Sequence, residues 1–349
     1  MLFNGIYKDR PVFVTGHTGF KGTWLAAWLT TLGSRVCGYA LDLPTEPNHF
    51  SLLNLPIQDI RGNLSDFTAL KEAIQQSEPE IVFHLAAQAI VSLSFQQPIE
   101  TFAVNILGTA HLLEACRQTP SVQAVVVITS DKCYLAGTPA AHRESDPLGG
   151  GDPYSASKAC AEIVAGSYRQ SFSDQRFLIA TCRSGNAIGG GDWAADRLLP
   201  DLVRSAVGGE TAVLRMPQAV RPWQHVLNPL AGYLRLGQRL LEGRSDFAEA
   251  WNFGPGKKDH WTVDKVARNA KKHWSGIQYA SVPEINPREV SLLTLDTRKT
   301  RKRLGWNLHW LLPEGIQKTI SWYRHFYESG KLQTFDQIAD FEQFCGFDD

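Results

Sequence analysis

The sequence lacks a net charge and any apolar run long enough to cross a membrane. Its 349 residues include 35 lysines and arginines and 35 aspartates and glutamates. This balance gives no reason to expect a nucleic acid or an anionic membrane surface as a partner. Residues 1–11 are too short and too polar for a signal peptide, and no apolar segment approaches the length of a span. We therefore expect a cytoplasmic protein with no membrane partner.

Motifs for metal or redox centres are absent as well. The six cysteines form no Cys-x-x-Cys pair, and the ten histidines show no His-x-x-x-His spacing. We expect no metal site and mostly buried, reduced thiols. The basic cluster at residues 298–303 has no basic excess around it, so it predicts a solvated helix face rather than a nucleic-acid site.

A glycine pattern near the start of the chain is the most informative feature that is present. An apolar run from Val12 ends in Gly16, Gly19 and Gly22, which predicts a strand, a tight turn and a helix start. Such a helix start can bind a pyrophosphate, because its backbone NH groups are unpaired and the helix dipole is positive there. Glycine has no side chain, so the phosphate oxygens can approach the backbone closely. The spacing differs from Gly-x-Gly-x-x-Gly, so an ordinary glycine-rich turn stays open.

Strand-like and helix-like segments then alternate along the chain. The apolar patterns predict helices that separate successive strands, and an acidic residue, Asp42, follows the second strand. The predicted strands are residues 12–15, 35–41, 57–62, 80–87, 124–129 and 177–182. This order predicts an α/β fold of the Rossmann type, a doubly wound parallel sheet with a ligand at the carboxyl ends of its strands. Asp42 would bind the ribose hydroxyls and disfavour a 2′-phosphate, hence NAD over NADP, although a solvated loop carboxylate is the alternative.

Two groups of polar residues follow the fifth strand. Ser130, Asp131 and Lys132 lie at its end, and Tyr154 and Lys158 lie four residues apart at the start of a predicted helix. This spacing places the phenol and the amine on one helical face. A neighbouring ammonium and a nicotinamide cation would both favour the phenolate, which could accept a proton from a sugar hydroxyl. A Tyr-x-x-x-Lys pair alone occurs by chance, so its weight comes from its order after the glycine loop.

In order and spacing, these motifs resemble the extended short-chain dehydrogenases/reductases, which include sugar-nucleotide epimerases and 4,6-dehydratases. The resemblance is carried by residues 15–22, 84–88 and 154–158 and extends over nearly the whole chain. Residues 129–134, 189–193 and 221–226 are most similar to the dehydratases that act on CDP-glucose. The dTDP-glucose dehydratases carry an Asp-Glu pair where this chain has Asp131 and Lys132.

The resemblance implies an NAD-dependent hydro-lyase that oxidises C4 of a glucosyl ring, eliminates water across C5 and C6, and returns the hydride to C6. Tyr154 would be the base at the 4-hydroxyl, Lys158 would hold the nicotinamide ribose, and Ser130 would hydrogen-bond the reacting oxygen. Asp131 would be the acid at the 6-hydroxyl, which requires a raised pKa. Lys132 would accept the C5 proton or stabilise the enolate, and a simple ion pair of Asp131 with Lys132 stays open.

The resemblance also implies binding residues in both parts of the chain. Residues 1–180 would form mainly the NAD-binding domain, and residues 181–349 mainly a smaller nucleotide-sugar lobe, with some segments returning to the first domain. The implied cofactor residues are Gly16, Gly19, Phe20, Lys21, Gly22, Asp42, Asn63, Leu64, Leu85, Ala86, Ala87, Gln88, Tyr154 and Lys158. The implied CDP-glucose residues are Asn186, Arg197, Leu198 and Arg221, of which Arg221 has the planar fork that suits a pyrophosphate.

Assembly and pathway are implied in the same way. Helices around residues 99–117 and 154–171 resemble those that pair across a two-fold axis in this group, so we expect a homodimer, with a tetramer still open. The product would enter deoxysugar synthesis for a bacterial surface polysaccharide such as an O-antigen. A 4-epimerase needs Tyr154 and Lys158 but not Asp131 and Lys132, and a non-catalytic NAD sensor needs none of them; both alternatives remain.

Overall fold

A parallel sheet organises the first part of the structure. The computed structural model describes residues 2–135, 137, 141–172, 177–282 and 293–345. The strands, in chain order, are β1 Pro11–Thr15, β2 Arg35–Ala40, β3 Gln58–Arg61, β4 Ile81–His84, β5 Ala124–Ile128, β6 Leu178–Ser184, β7 Ala187–Ile188, β8 Ala212–Leu214, β9 Val220–Pro222, β10 Gln224–His225, β11 Ala250–Phe253, β12 His260–Thr262 and β13 Tyr279–Ser281. Among the described residues, seven of them form one sheet in the order β3-β2-β1-β4-β5-β6-β11, with each pair parallel.

This arrangement confirms the predicted doubly wound parallel sheet. The order reverses at β1, from which the chain builds β2 and β3 on one side and β4, β5 and β6 on the other. Such a reversal opens a crevice beyond the carboxyl ends of the strands. β11 comes from the second half of the chain and pairs with β6, where Trp251 aligns with Cys182.

Helices cover both faces of the sheet. Their bounds are α1 Phe20–Thr31, α2 His49–Leu53, α3 Phe67–Ser77, α4 Val91–Gln96, α5 Pro98–Phe102, α6 Gly108–Arg117, α7 Pro153–Ser171, α8 Leu198–Gly208, α9 Leu227–Leu241, α10 Val263–His273, α11 Leu312–Ser329 and α12 Thr334–Glu342. Of the helices in the described ranges, none combines the length and apolar character that a membrane span requires.

The core forms two layers because alternate residues of a strand face opposite sides of the sheet. Val12 and Val14 pack in one apolar cluster with Trp24, while Phe13 packs in the other with Leu112. Both layers are buried, which explains the continuous apolar runs of the central strands. The larger cluster extends into the second half of the chain through α9, whose Leu230 is fully buried.

The second half adds short strand pairs and helices to this sheet. β7 pairs with β10, β8 with β13, and β9 with β12. α8, α10 and α11 pack against one another. These elements follow β6 in the chain. The chain therefore enters them from the carboxyl end of β6, at the carboxyl edge of the sheet.

Candidate active site

The glycine loop lies between β1 and α1 and is packed so tightly that two of its residues must be glycine. Gly16 has φ +74°, and a Cβ there would lie 2.7 Å from the backbone nitrogen of Ala86. A Cβ on Gly22 would lie 2.0 Å from the carbonyl oxygen of Gly16. Gly19 is the N-cap of α1 and has no side chain over the free NH groups of the first turn. The loop is thus a cradle that fits a dinucleotide pyrophosphate at a helix N-terminus.

Residues after β4 form one wall of this loop. Thr15 Oγ1 accepts a hydrogen bond from the backbone NH of Ala86 over 3.1 Å and lies 2.8 Å from Nδ1 of His84. Burial lowers the pKa of His84 to about 3, so the ring is neutral. The four residues after His84, which are Leu85, Ala86, Ala87 and Gln88, are all partly buried, and the first two pack against the apolar clusters of the core.

The residues predicted for the adenosine end lie just after β2 and β3. Asp42 is exposed, and β2 and β3 are parallel neighbours, so Asp42 and Asn63 lie at the same edge of the sheet. Asn63 accepts a hydrogen bond from Tyr39 OH over 3.2 Å through its carbonyl oxygen, and Leu64 is buried beside Gly108. Sequence reasoning missed the contact from His17 Nε2 to Asp59 Oδ1, 2.9 Å long, which ties the glycine loop to β3.

The predicted acid lies in a buried turn after β5. Ser130 caps the short 3-10 turn Asp131–Cys133, where its Oγ accepts the backbone NH of Lys132 over 3.2 Å. The same hydroxyl donates to Asp131 Oδ1 over 3.0 Å. Burial is the main reason why the pKa of Asp131 is raised, and the charge of Lys132 opposes this effect. A buried carboxyl group with a raised pKa can hold a proton for donation.

The predicted base lies on α7, beside this turn. Asp152 caps the helix by accepting the backbone NH of Ser155 over 2.9 Å, and this fixes Tyr154 in the first turn. Burial raises the pKa of Tyr154 to about 12, while the nearby Ser130 hydroxyl and the charge of Arg197 act in the opposite direction. Lys158 Nζ donates to the carbonyl oxygen of Ile128 over 3.4 Å. The protein alone therefore keeps the phenol protonated, and the phenolate requires added positive charge nearby.

Beneath these groups lies a buried ion pair that sequence reasoning missed. Glu162 is four residues after Lys158 and accepts hydrogen bonds from Thr129, Thr181 and Arg183. The Arg183–Glu162 contact is 2.8 Å long, with both side chains almost fully buried. The position of Glu162 on the helical face of Lys158 was the only sequence signal for it.

The predicted substrate residues follow β6. The carbonyl oxygen of Asn186 accepts the backbone NH of Gln224 over 3.0 Å, Arg197 is the N-cap of α8, and Leu198 is its first residue. Arg197 also pairs with the buried carboxylate of Asp192 at 2.6 Å, a partner that the sequence did not indicate. Arg221 is partly buried in β9, opposite Trp261 of β12.

The structure thus brings some of the predicted residues together and leaves others apart. The charges of Asp131, Lys158, Lys21 and Arg197 act on one another or on Tyr154, so these residues share one centre at the carboxyl ends of β5 and β6. Asp42 and Asn63 lie apart, at the β2 and β3 end of the same edge. In the described ranges, no group of three or more His, Cys, Asp or Glu side chains is arranged to hold a metal ion.

Comparison with known proteins agrees with this arrangement. The family model for GDP-mannose 4,6 dehydratase matches residues 13–319. A CDP-glucose 4,6-dehydratase of Salmonella typhimurium is 44% identical over 338 residues, which cover 93% of this chain and 93% of that protein. A UDP-glucose 4-epimerase of Mycolicibacterium smegmatis is 28% identical over 326 residues, which cover 89% of this chain and 98% of that protein.

A solved structure is similar over the same range. MoeE5 in complex with UDP-glucose and NAD is 26% identical, with a TM-score of 0.78, and the match covers 91% of this chain and 99% of that chain.

Proposed function

The chain belongs to the GDP-mannose 4,6 dehydratase family, and we propose that it is a hydro-lyase that converts CDP-glucose to CDP-4-dehydro-6-deoxyglucose with NAD as cofactor. The observation that carries this proposal is a buried aspartate, Asp131, which is hydrogen-bonded to Ser130 and lies close enough to Tyr154 for its charge to raise the pKa of the phenol. A 4-epimerase needs the tyrosine but has no use for a protonated carboxyl group beside it. The choice of CDP-glucose follows from the similarity to the Salmonella typhimurium enzyme.

The NAD-binding residues on this proposal run along the carboxyl edge of the sheet. Gly16, Gly19 and Gly22 leave space for the pyrophosphate at the start of α1, and Asp42 receives the adenosine ribose. Similarity to MoeE5, whose structure contains NAD, supports the same cofactor. Bound NAD supplies hydride acceptance from C4 and hydride return to C6.

In the first step Tyr154 removes the proton of the 4-hydroxyl. Its pKa of about 12 in the protein alone must fall for this role, and the positive charge of a bound nicotinamide ring would lower it. The Ser130 hydroxyl lies near enough to the phenol to lower its pKa, so it is placed to hold the oxygen that becomes a carbonyl.

In the second step Asp131 gives its proton to the departing 6-hydroxyl, which leaves as water. The C5 proton, acidified by the C4 ketone, leaves on the side of Lys132, which accepts it or stabilises the enolate. Lys132 is partly buried and directly follows Asp131 in the 3-10 turn, so both side chains start from one backbone segment. In the final step a proton would add at C5 as the hydride that the cofactor supplies adds at C6, so the C5–C6 double bond is lost and no net oxidation results.

We propose that the nucleotide and its phosphates lie against the segments that follow β6. Arg197 and Arg221 would bind the pyrophosphate, with Asn186 and Leu198 beside them. Arg197 acts electrostatically on Tyr154, which fits a diphosphate directly next to the reacting sugar. In the same assignment, residues 1–180 serve mainly the cofactor and residues 181–349 mainly the substrate.

We also propose a homodimer, in a cytoplasmic pathway that makes deoxysugars for surface polysaccharides such as an O-antigen. The support for the dimer is an exposed apolar face, where Phe95, Ile99 and Ile163 have exposed fractions of 65%, 79% and 59%. α4, α5 and α7, which carry these residues, pack together. Large exposed apolar side chains on adjacent helices are typical of a protein interface.

The experiment is a product assay with NAD and each of CDP-glucose, UDP-glucose and dTDP-glucose, in which the alkaline absorbance of a 4-keto-6-deoxy sugar is followed. We expect product with CDP-glucose alone. Product with another nucleotide would keep the reaction and overturn the base assignment, while no keto sugar with any of them would overturn the dehydratase proposal.

The matched variant for this assay is Asp131→Asn, which keeps the size of the side chain and removes the acid. We expect product formation to fall by about 10²- to 10⁴-fold, the usual contribution of a general acid. Oxidation at C4, followed by the near-ultraviolet absorbance of the reduced nicotinamide, should persist. An unchanged rate of product formation would contradict the role of Asp131.

A further inference from the structure

Lys21 lies within the glycine motif of the sequence, but its side chain contacts a residue at the end of another strand. It is the second residue of α1, and its Nζ donates to Ser184 Oγ over 3.0 Å. Ser184 is the last residue of β6, and its hydroxyl lies 2.7 Å from the hydroxyl of Tyr233 on α9. The amine is therefore held at the end of β6, 163 residues away along the chain.

The carboxyl group of Asp131 lies against the next residue of the same segment. A Cβ built on Gly185 would lie 2.9 Å from Asp131 Oδ2. Ser184 and Gly185 are consecutive, so the Lys21 amine and the Asp131 carboxyl group contact adjacent residues. Glycine at 185 leaves the space that the carboxyl group occupies.

The charges in this centre are consistent with that geometry. Burial lowers the pKa of Lys21 to about 8, and the negative charge of Asp131 is the largest effect that opposes it. The charge of Lys21 in turn lowers the pKa of Asp131, in the same direction as Lys132. The other titratable or charged groups that face this pair are Cys133 in the 3-10 turn, Cys182 on β6, Tyr154 and Lys158 on α7, Arg197 before α8, Tyr233 on α9 and His142.

We propose that Lys21 is a positioning residue of the elimination step: held by Ser184, its ammonium stabilises the carboxylate that Asp131 becomes when it donates its proton. This inference rests on the proposed dehydratase function. In that step the C6–O bond breaks, the hydroxyl leaves with the Asp131 proton as water, and the C5 proton passes to the base as the C5–C6 double bond forms. A fixed cation beside the new carboxylate lowers the barrier because negative charge develops there.

The test compares Lys21→Met with Lys21→Arg in the full-length protein with NAD. Loss of deuterium from CDP-[5-²H]glucose to water reports elimination, and its rate is measured against pH. In Lys21→Met we expect this rate to fall by about 10- to 100-fold. Without the cation the pKa of Asp131 rises, so the pH at which activity is lost on the basic side moves up by about one unit. Lys21→Arg keeps the charge, so the basic limb of its pH–rate profile should stay within a few tenths of a pH unit of the wild type.

A second variant and a binding measurement separate this role from cofactor binding. Ser184→Ala frees the Lys21 amine and should move the basic limb in the same direction by a smaller amount. NAD affinity, measured by calorimetry, should change by less than about threefold in Lys21→Met. If NAD affinity falls while the basic limb stays in place, Lys21 serves the cofactor and the proposal is overturned. A wild-type protein that forms no keto sugar would instead overturn the proposed function, which keeps the two failures distinct.

Discussion

At the scale of single residues, Gly22 shows how little space the glycine loop leaves for a side chain. We expect Gly22→Ala to weaken NAD binding by at least about tenfold, because its Cβ would lie 2.0 Å from the carbonyl oxygen of Gly16 and overpacking of this kind costs about 1–3 kcal/mol. Calorimetric titration of the purified variant with NAD measures the change.

The matched control is Gly208→Ala, at the exposed end of α8. A Cβ there meets only the flexible Cγ of Glu210, at 3.9 Å. NAD affinity should be unchanged in this variant. Equal losses in both variants would mean that Gly22 acts through general stability rather than through the shape of the loop.

Which residues could be predicted from sequence depends on the distance between partners along the chain. Ser130, Asp131 and Tyr154 stand out because a polar cluster and a tyrosine–lysine spacing are local patterns. The orientation of the Lys21 side chain depends on its contact with Ser184, 163 residues later, and no local sequence pattern indicates that contact. Glu162 and its arginine partner are hidden for the same reason, since the sheet has to form before they meet.

At the scale of elements, the start of α7 sets the position of the base. We expect Asp152→Ala to cost about 1 kcal/mol of unfolding free energy, the usual value of an N-cap, because Asp152 accepts the backbone NH of Ser155. Since Tyr154 lies in the turn that this cap fixes, kcat should fall as well. Urea unfolding and the product assay measure the two effects.

Asp66→Ala provides the comparison. Asp66 caps α3 by accepting the backbone NH of Ala69 over 3.0 Å, on a helix that holds none of the proposed catalytic groups. Its loss should cost a similar amount of stability and leave kcat unchanged. A fall of kcat in both variants would show that the effect follows stability and not the position of Tyr154.

Element boundaries were predictable where a start signal precedes the helix. α7 covers Pro153–Ser171, close to the predicted range 154–171, because Asp152 caps the helix and Pro153 is its first residue. The helix predicted over 99–117 is instead α5, the π-helical turn Ala103–Leu107 and α6. A π turn changes the hydrogen-bond register without changing composition, so the apolar spacing gives no warning of it.

At the scale of the whole molecule, the exposed apolar face predicts how two copies meet. We expect Ile163→Glu to convert the proposed dimer to a monomer, because it would bury an unpaired carboxylate at that interface, on a side chain that is 59% exposed here. Light scattering coupled to size exclusion gives the mass of each species.

Val207→Glu is the control, on α8 and with an exposed fraction of 48%. It adds the same charge at a similar exposure and should leave the mass unchanged. An Ile163→Glu variant with the mass of the wild type would place the interface elsewhere.

The sheet as a whole was predictable because repeated strand and helix segments leave few allowed topologies. The contribution of β11 to the sheet edge was not, since its partner β6 lies about 70 residues earlier and pairing over that distance follows from packing, not local pattern. The proposed site divides in the same way: its proposed cofactor residues lie in local motifs, whereas its proposed substrate residues are brought together by contacts between distant segments.

On the proposed function, one protein oxidises C4, eliminates water and returns the same hydrogen to C6. The direct measurement is the fate of deuterium from CDP-[4-²H]glucose, followed by NMR and mass spectrometry of the product. We expect one deuterium in the C6 methyl group of a 4-keto-6-deoxy sugar. Deuterium that remains at C4, in a C4 epimer of the substrate, would contradict the account and place the chain among the epimerases.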